Sequence, residues 1–191
     1  MEASYSSGLS AGTYTWDSWK THLSSNALFK GDPTYLDPNQ GAAETCYFVA
    51  SISAAGEWPS LIKDMFITGT DDSSIGLYGV KFYIRGRPWV VHVDDKLLFE
   101  SGSLKYMKVA DNGAMWAAIL EKAWAKAKGN YAQTDGGFVV SGLRSITGAP
   151  VFTYSPSSST YTYTSDQSYT LLEAANTANY MMGAGTASGS N

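Results

Sequence analysis

The chain's single cysteine lies in Gln40-Gly41-Ala42-Ala43-Glu44-Thr45-Cys46-Tyr47-Phe48-Val49-Ala50, where an apolar, alanine-rich run begins. A thiol at a helix start is placed for chemistry. Unpaired N–H groups and the positive end of the helix dipole favour the thiolate, which is the nucleophilic form. Thr45, directly before it, reads as an N-cap acting through its hydroxyl. Gln40, one short loop upstream, offers an amide N–H that could hold the oxyanion of a tetrahedral acyl intermediate if it is carried to the rim of the same site. Together these residues supply the nucleophile and the oxyanion donor of acyl transfer. From Cys46 to Ala55 the side chains are apolar on nearly every side, so the helix is expected to be buried rather than amphipathic.

The order Gln-Gly-x-x-x-x-Cys-aromatic, followed by an apolar helix, resembles the active-site segment of the calpain family of papain-like cysteine proteases. Further stretches match in the same order: Gly86-Arg87-Pro88-Trp89-Val90-Val91-His92-Val93-Asp94-Asp95-Lys96-Leu97, then Trp116-Ala117-Ala118-Ile119-Leu120-Glu121-Lys122-Ala123-Trp124-Ala125-Lys126, then Asp135-Gly136-Gly137 and Ile146-Thr147-Gly148. Several separated motifs in order are far more specific than any one alone. The resemblance covers roughly residues 30 to 190.

It implies an α+β fold: a papain-like first subdomain with a buried central helix carrying the cysteine at its N-terminus, and a small antiparallel hairpin. The expected organisation is an N-terminal extension with a short helix (1–29), the first subdomain (30–154), and a low-complexity linker with the start of a second subdomain (155–191). The implied activity is that of an intracellular cysteine endopeptidase acting on protein or peptide substrates, with Cys46 and Gln40 as catalytic residues and Gly136 and Gly137 bordering the substrate cleft. Glycines there let an extended peptide approach the backbone, and a tight turn is the alternative reading. In calpains the catalytic His and the orienting Asn come from the second subdomain, which the resemblance places beyond Asn191 and makes a required partner.

Departures from the family pattern qualify this. Glu44-Thr45 stand where calpains have Gly-Asp, and Tyr47 where they have Trp, which favours a second reading: a catalytically silent module kept for protein interaction. Calpains also bind calcium in this subdomain. By resemblance Asp37 falls at the acidic position of that site, but Ala114 replaces the Glu two residues before Trp116. Asp111 is the nearby substitute, and Asp32 could help if its loop bends inward. Calcium takes about six to eight oxygen ligands, several of them charged, so binding is expected to be weak or absent.

Composition bounds the rest. A net charge of −4 leaves no basic cluster to displace phosphate counterions, which argues against non-specific nucleic-acid binding. One cysteine rules out an intrachain disulfide, and Met1-Glu2-Ala3-Ser4-Tyr5 lacks the features of a signal peptide, so a reducing, cytoplasmic setting is expected. No apolar run is long enough to span a bilayer.

In chain order, residues 1 to 12 are Ser/Gly-rich and read as disordered. A short amphipathic helix is expected from Thr15 to Ala27, with Gly56 as a helix stop and Ser60 to Phe66 as a second short helix. Asp71 to Ser74 reads as a loop. Leu77–Ile84 and Trp89–Leu98 alternate like an antiparallel pair turning at Arg85-Gly86-Arg87-Pro88. His92 then shares a strand face with Asp94, and both it and His22 read as structural or surface imidazoles. Asn112 to Lys128 is the clearest helix, its broad apolar face made by Met115, Ile119, Leu120, Ala123, Trp124 and Ala127. Tyr169 to Ala178 is helix-compatible, Asn179 to Thr186 strand-like, and Gly183 to Gly189 lacks the context of a dinucleotide loop.

Overall fold

The computed structural model describes residues 13–67, 75–154 and 163–185. The expectations for 1–12 and 71–74, and residues 155–162 and 186–191 of the expected linker and second-subdomain start, lie outside these residues. Within them the elements run β1 Tyr14–Ser18, α1 Trp19–His22, α2 Cys46–Ala55, α3 Pro59–Met65, β2 Leu77–Ile84, β3 Arg87–Asp94, β4 Lys96–Glu100, β5 Ser103–Leu104, α4 Trp116–Lys128, a 3-10 turn Tyr131–Thr134, α5 Val139–Thr147 and α6 Ser165–Thr177. The mixture of helices and small antiparallel sheets is α+β, as expected.

An aromatic cluster joins the central elements. Phe48 of α2 stacks on Trp124 of α4 at 4.8 Å with the rings nearly parallel, and Phe82 of β2 meets both edge-on. Phe48 and Phe82 are fully buried. Burying each such side chain stabilises the fold by about 1.5–3 kcal/mol. The α2 helix also packs on α5, where Gly142 lies against Ser51: a Cβ at Gly142 would sit 2.2 Å from the Ser51 Oγ.

Two expectations are corrected at the strands. Residues Thr15 to Ala27 do not form one helix; Tyr14–Ser18 is a strand paired with β4, and only Trp19–His22 makes a helical turn. Aromatic and β-branched residues at 14–16 suit a pleated edge, and Tyr14 donates to Glu100 across the pair. The hairpin is also shorter than read. Arg85 and Gly86 alone form its turn, both at positive φ, and β3 ends at Asp94. Asp94 then accepts from the Lys96 N–H, so the chain bends and β4 enters a different sheet, of order β1-β4-β5.

The helix ends carry further differences. Gly56 is not left-handed; at φ −63 it stays helical, and its value is close approach, since a Cβ there would lie 2.6 Å from the Tyr35 backbone nitrogen. On α4, Ala127 is exposed while Glu121 is buried. The last helix starts at Ser165, earlier than read, because Thr164 and Gln167 exchange side-chain and backbone hydrogen bonds in a capping box. No strand forms over residues 179–185.

Candidate active site

The cysteine loop is held on two sides before it delivers Cys46. Along one side, Ala42 N–H donates to the Lys105 carbonyl and Lys108 N–H to the Asn39 carbonyl. Gly41 sits so close that a Cβ there would fall 1.7 Å from the Tyr106 carbonyl oxygen, which explains why the Gln-Gly pair needs its glycine. On the other side, Gly136 N–H donates to the Glu44 carbonyl at 3.0 Å. The loop therefore enters α2 in a fixed direction.

Cys46 is the first residue of α2, and it is exposed as a free thiol while Tyr47, Phe48, Ser51, Ile52 and Ala55 behind it are buried. Thr45 does not cap through its side chain. Its carbonyl accepts the Phe48 and Val49 N–H groups, and its hydroxyl points into the core and donates to Glu121 Oε1 at 2.5 Å. The cap is positional only, because the hydroxyl is turned into the core toward the Glu121 carboxyl and away from the helix N–H groups.

Of the other expected site residues, Gln40 is exposed, and its Nε2 donates to the Ala43 carbonyl at 2.9 Å, within its own loop. Gly136 and Gly137 lie beside the cysteine loop. Gly136 has φ +68, so it does serve a turn, and its N–H is engaged by Glu44. At Gly137 a Cβ would meet the Tyr47 ring at 2.7 Å. The Tyr47 ring thus fills the space against Gly137, and its hydroxyl accepts from Trp124 Nε1 at 3.0 Å. Asp135, Gly136, Gly137 and Phe138 are all exposed.

Asp37 is buried and already surrounded by donors. Its carboxylate accepts from Thr34 N–H, Thr34 Oγ1, Asn112 Nδ2 and Trp116 Nε1, the last at 2.7 Å. A cation would need those lone pairs. Asp32 does not bend inward: it is exposed and pairs with Lys63 at 2.6 Å. Ala114 is buried and Asp111 exposed, and among the described residues no group of three His, Cys, Asp or Glu side chains could hold a metal. The residues present do not fit a calcium site.

Neither histidine is joined to Cys46 by a hydrogen bond among the described residues. His22 pairs with Asp17 at 2.9 Å and lies 4.3 Å from the Phe99 ring centre. His92 is exposed on β3 beside Asp94, as the strand alternation requires, but Asp94 pairs with Lys122 instead. Sequence reasoning missed Glu121, which is 1% exposed and accepts from Thr45 and from Met107 N–H at 2.8 Å. The available signal was its spacing from Ala117, Ala118 and Ala125, which makes it the one carboxyl on a face of small residues.

A family model described as calpain family cysteine protease matches residues 4–191. The chain belongs to the calpain family of cysteine proteases. Among its calpain relatives, it is 34% identical over 122 residues to the calpain-type cysteine protease DEK1 of Zea mays, covering 63% of this chain and 6% of that protein. It is 33% identical over 116 residues to calpain clp-4 of Caenorhabditis elegans, covering 59% and 16%. With the calpain-1 catalytic subunit of Macaca fascicularis it shares 33% identity over 136 residues, covering 68% and 19%. The chain thus spans less than a fifth of the length of these calpains. No helix among the described residues is long and apolar enough to cross a membrane.

Proposed function

We propose that this chain is the papain-like first subdomain of an intracellular calpain-type cysteine endopeptidase, with Cys46 as its nucleophile. The observation that carries the reading is the exposed thiol on the first residue of an otherwise core-packed helix, beside the Gly136-Gly137 turn. In that arrangement Cys46 gives its thiol proton to the imidazole that the resemblance assigns to the second subdomain, forming an imidazolium, and the thiolate Sγ attacks the scissile carbonyl of a protein substrate. The new S–C bond forms a tetrahedral oxyanion, which the Cys46 backbone N–H and the Gln40 amide would hold. Collapse breaks the C–N bond, the leaving amine takes a proton from the imidazolium, and water then cleaves the thioester. By resemblance, the His and Asn of this relay belong to the second subdomain.

Gly136 and Gly137 border the substrate in this reading, through close backbone approach rather than the Gly136 N–H, which is engaged. Asp37 acts as a hydrogen-bonded hub and not as a calcium ligand. One contact favours the silent-module alternative: the Gln40 amide donates within its own loop. Peptide hydrolysis by a protein joining this chain to its second subdomain tests the proposal. Turnover abolished by Cys46→Ala supports the endopeptidase; a folded, two-subdomain protein with no turnover supports the silent module.

A further inference from the structure

The buried Glu121 lies outside the chemistry described above, yet it contacts the residue next to the nucleophile. Its Oε1 is 2.5 Å from the Thr45 hydroxyl, and its Oε2 accepts the Met107 N–H at 2.8 Å. Thr45 in turn offers its carbonyl to the first two N–H groups that α2 can bond, those of Phe48 and Val49. Met107 belongs to the stretch against which the cysteine loop is laid, between the Lys105 and Lys108 contacts. One carboxyl therefore joins α4, the wall of the cysteine loop and the residue at which α2 begins.

We propose that Glu121 is a positioning residue for Cys46, fixing the start of α2 through the Thr45 side chain. The inference rests on the reading of Cys46 as a nucleophile. Both partners of the carboxyl are neutral, a hydroxyl and a backbone amide. Around it are Tyr131, Leu97, Leu98, Leu104 and Ala118, bordering a cavity of about 10 Å³ that holds at most one water. Among the described residues no cation pairs with it, and burial raises its carboxyl above the ordinary value, outweighing the opposing hydrogen bonds from Thr45 and Met107. A neutral side chain of this shape meets the same two partners. In a Glu121→Gln variant the side-chain amide would accept from the Met107 N–H with its oxygen and donate to the Thr45 hydroxyl with its nitrogen.

The test is the rate at which iodoacetamide alkylates Cys46 in the full 191-residue chain, for wild type, Thr45→Val, Glu121→Leu, the double variant and Glu121→Gln, each checked for native near-ultraviolet dichroism. The proposal expects Thr45→Val and Glu121→Leu each to slow alkylation by about fivefold, with the double variant no slower than either single, as for residues acting through one contact. Glu121→Gln should stay within about twofold of wild type, a rescue that mere space-filling by leucine would not give. Rates unchanged in folded Thr45→Val, or effects that multiply in the double variant, overturn it. Should Glu121→Leu fail to fold, Thr45→Val and Glu121→Gln decide alone: slow for the first and near wild type for the second supports the proposal, and any other pattern overturns it. Iodoacetamide needs no peptide cleft, so this outcome is independent of whether the joined protein hydrolyses peptides.

Discussion

The indole Nε1 of Trp116 donates to Oδ2 of Asp37 over 2.7 Å, and so pins the turn before the cysteine loop to the first residue of α4. Both groups are buried. The contact makes Asp37 part of the scaffold, and its replacement leaves several donors without an acceptor.

Asp37→Ala should therefore destabilise the chain by about 2–4 kcal/mol, since hydrogen bonds to charged groups are worth about 1.5–3 kcal/mol and buried donors lose their partner. Urea unfolding measures this. Isothermal titration of wild type should show no saturable calcium binding at micromolar concentrations; saturable binding lost in Asp37→Ala would return Asp37 to the role of metal ligand.

The 191-residue chain on its own should show no appreciable peptide hydrolysis. His22 is engaged by Asp17, and His92 lies on an exposed strand face, so neither serves as the general base for Cys46. Loss of a triad member commonly lowers turnover by several orders of magnitude. A fluorogenic peptide assay checks it, and activity that disappears in Cys46→Ala would identify one of these histidines as the base.

Glu121 should leave a signature in stability against pH. Its folded-state carboxyl titrates higher than its ordinary 4.5, chiefly through burial. At this group the folded chain then binds more protons than the unfolded chain above about pH 4.5, so its contribution to stability is fully present below that pH and is lost as pH rises through the folded value. Glu121→Gln lacks this titration. Its melting temperature relative to wild type should climb as pH rises above the ordinary 4.5, and a difference that stays flat with pH would contradict the assignment.

Gly41→Ala should be among the most damaging small substitutions in the chain. The added Cβ would lie 1.7 Å from a backbone carbonyl, which cannot rotate away as a side chain can. A loss of about 2 kcal/mol or more is expected from overpacking of this kind. Gly136→Ala meets open space, so its cost should be limited to the positive φ, about 1 kcal/mol. Thermal unfolding of the two variants compares them directly.

How much of this was legible in the sequence depended on whether the deciding partner was local. The hairpin turn and α4 were readable because alternation, Gly86 and helical periodicity act over a few residues. The end of β3 was not, since Leu97 and Leu98 continue the apolar run and nothing nearby reveals that Tyr14–Ser18 is their partner. The thiol's place at a helix start was legible, because the apolar run opens at Cys46. The hydroxyl of Thr45 was misread for the opposite reason: a local cap rule gave way to Glu121, 76 residues further on. Asp37 shows the same limit, as spacing marked it as acidic and near the site but could not show four donors converging on it.

The pairing of β1 with β4 also sets an order of events during synthesis. Tyr14 waits for Glu100, 86 residues later, before its strand has a neighbour. At about 5–20 residues per second, that is an interval of several seconds in which an aromatic strand lies unpaired on the emerging chain. Its closure must follow synthesis of β4, so the N-terminal strand joins a sheet whose other pairing, β4 with β5, is local. A nascent chain arrested before residue 96 would present Tyr14 and Trp16 to whatever binds exposed aromatic segments. Folding of this chain is thereby tied to the pace of translation at its middle, far from the thiol.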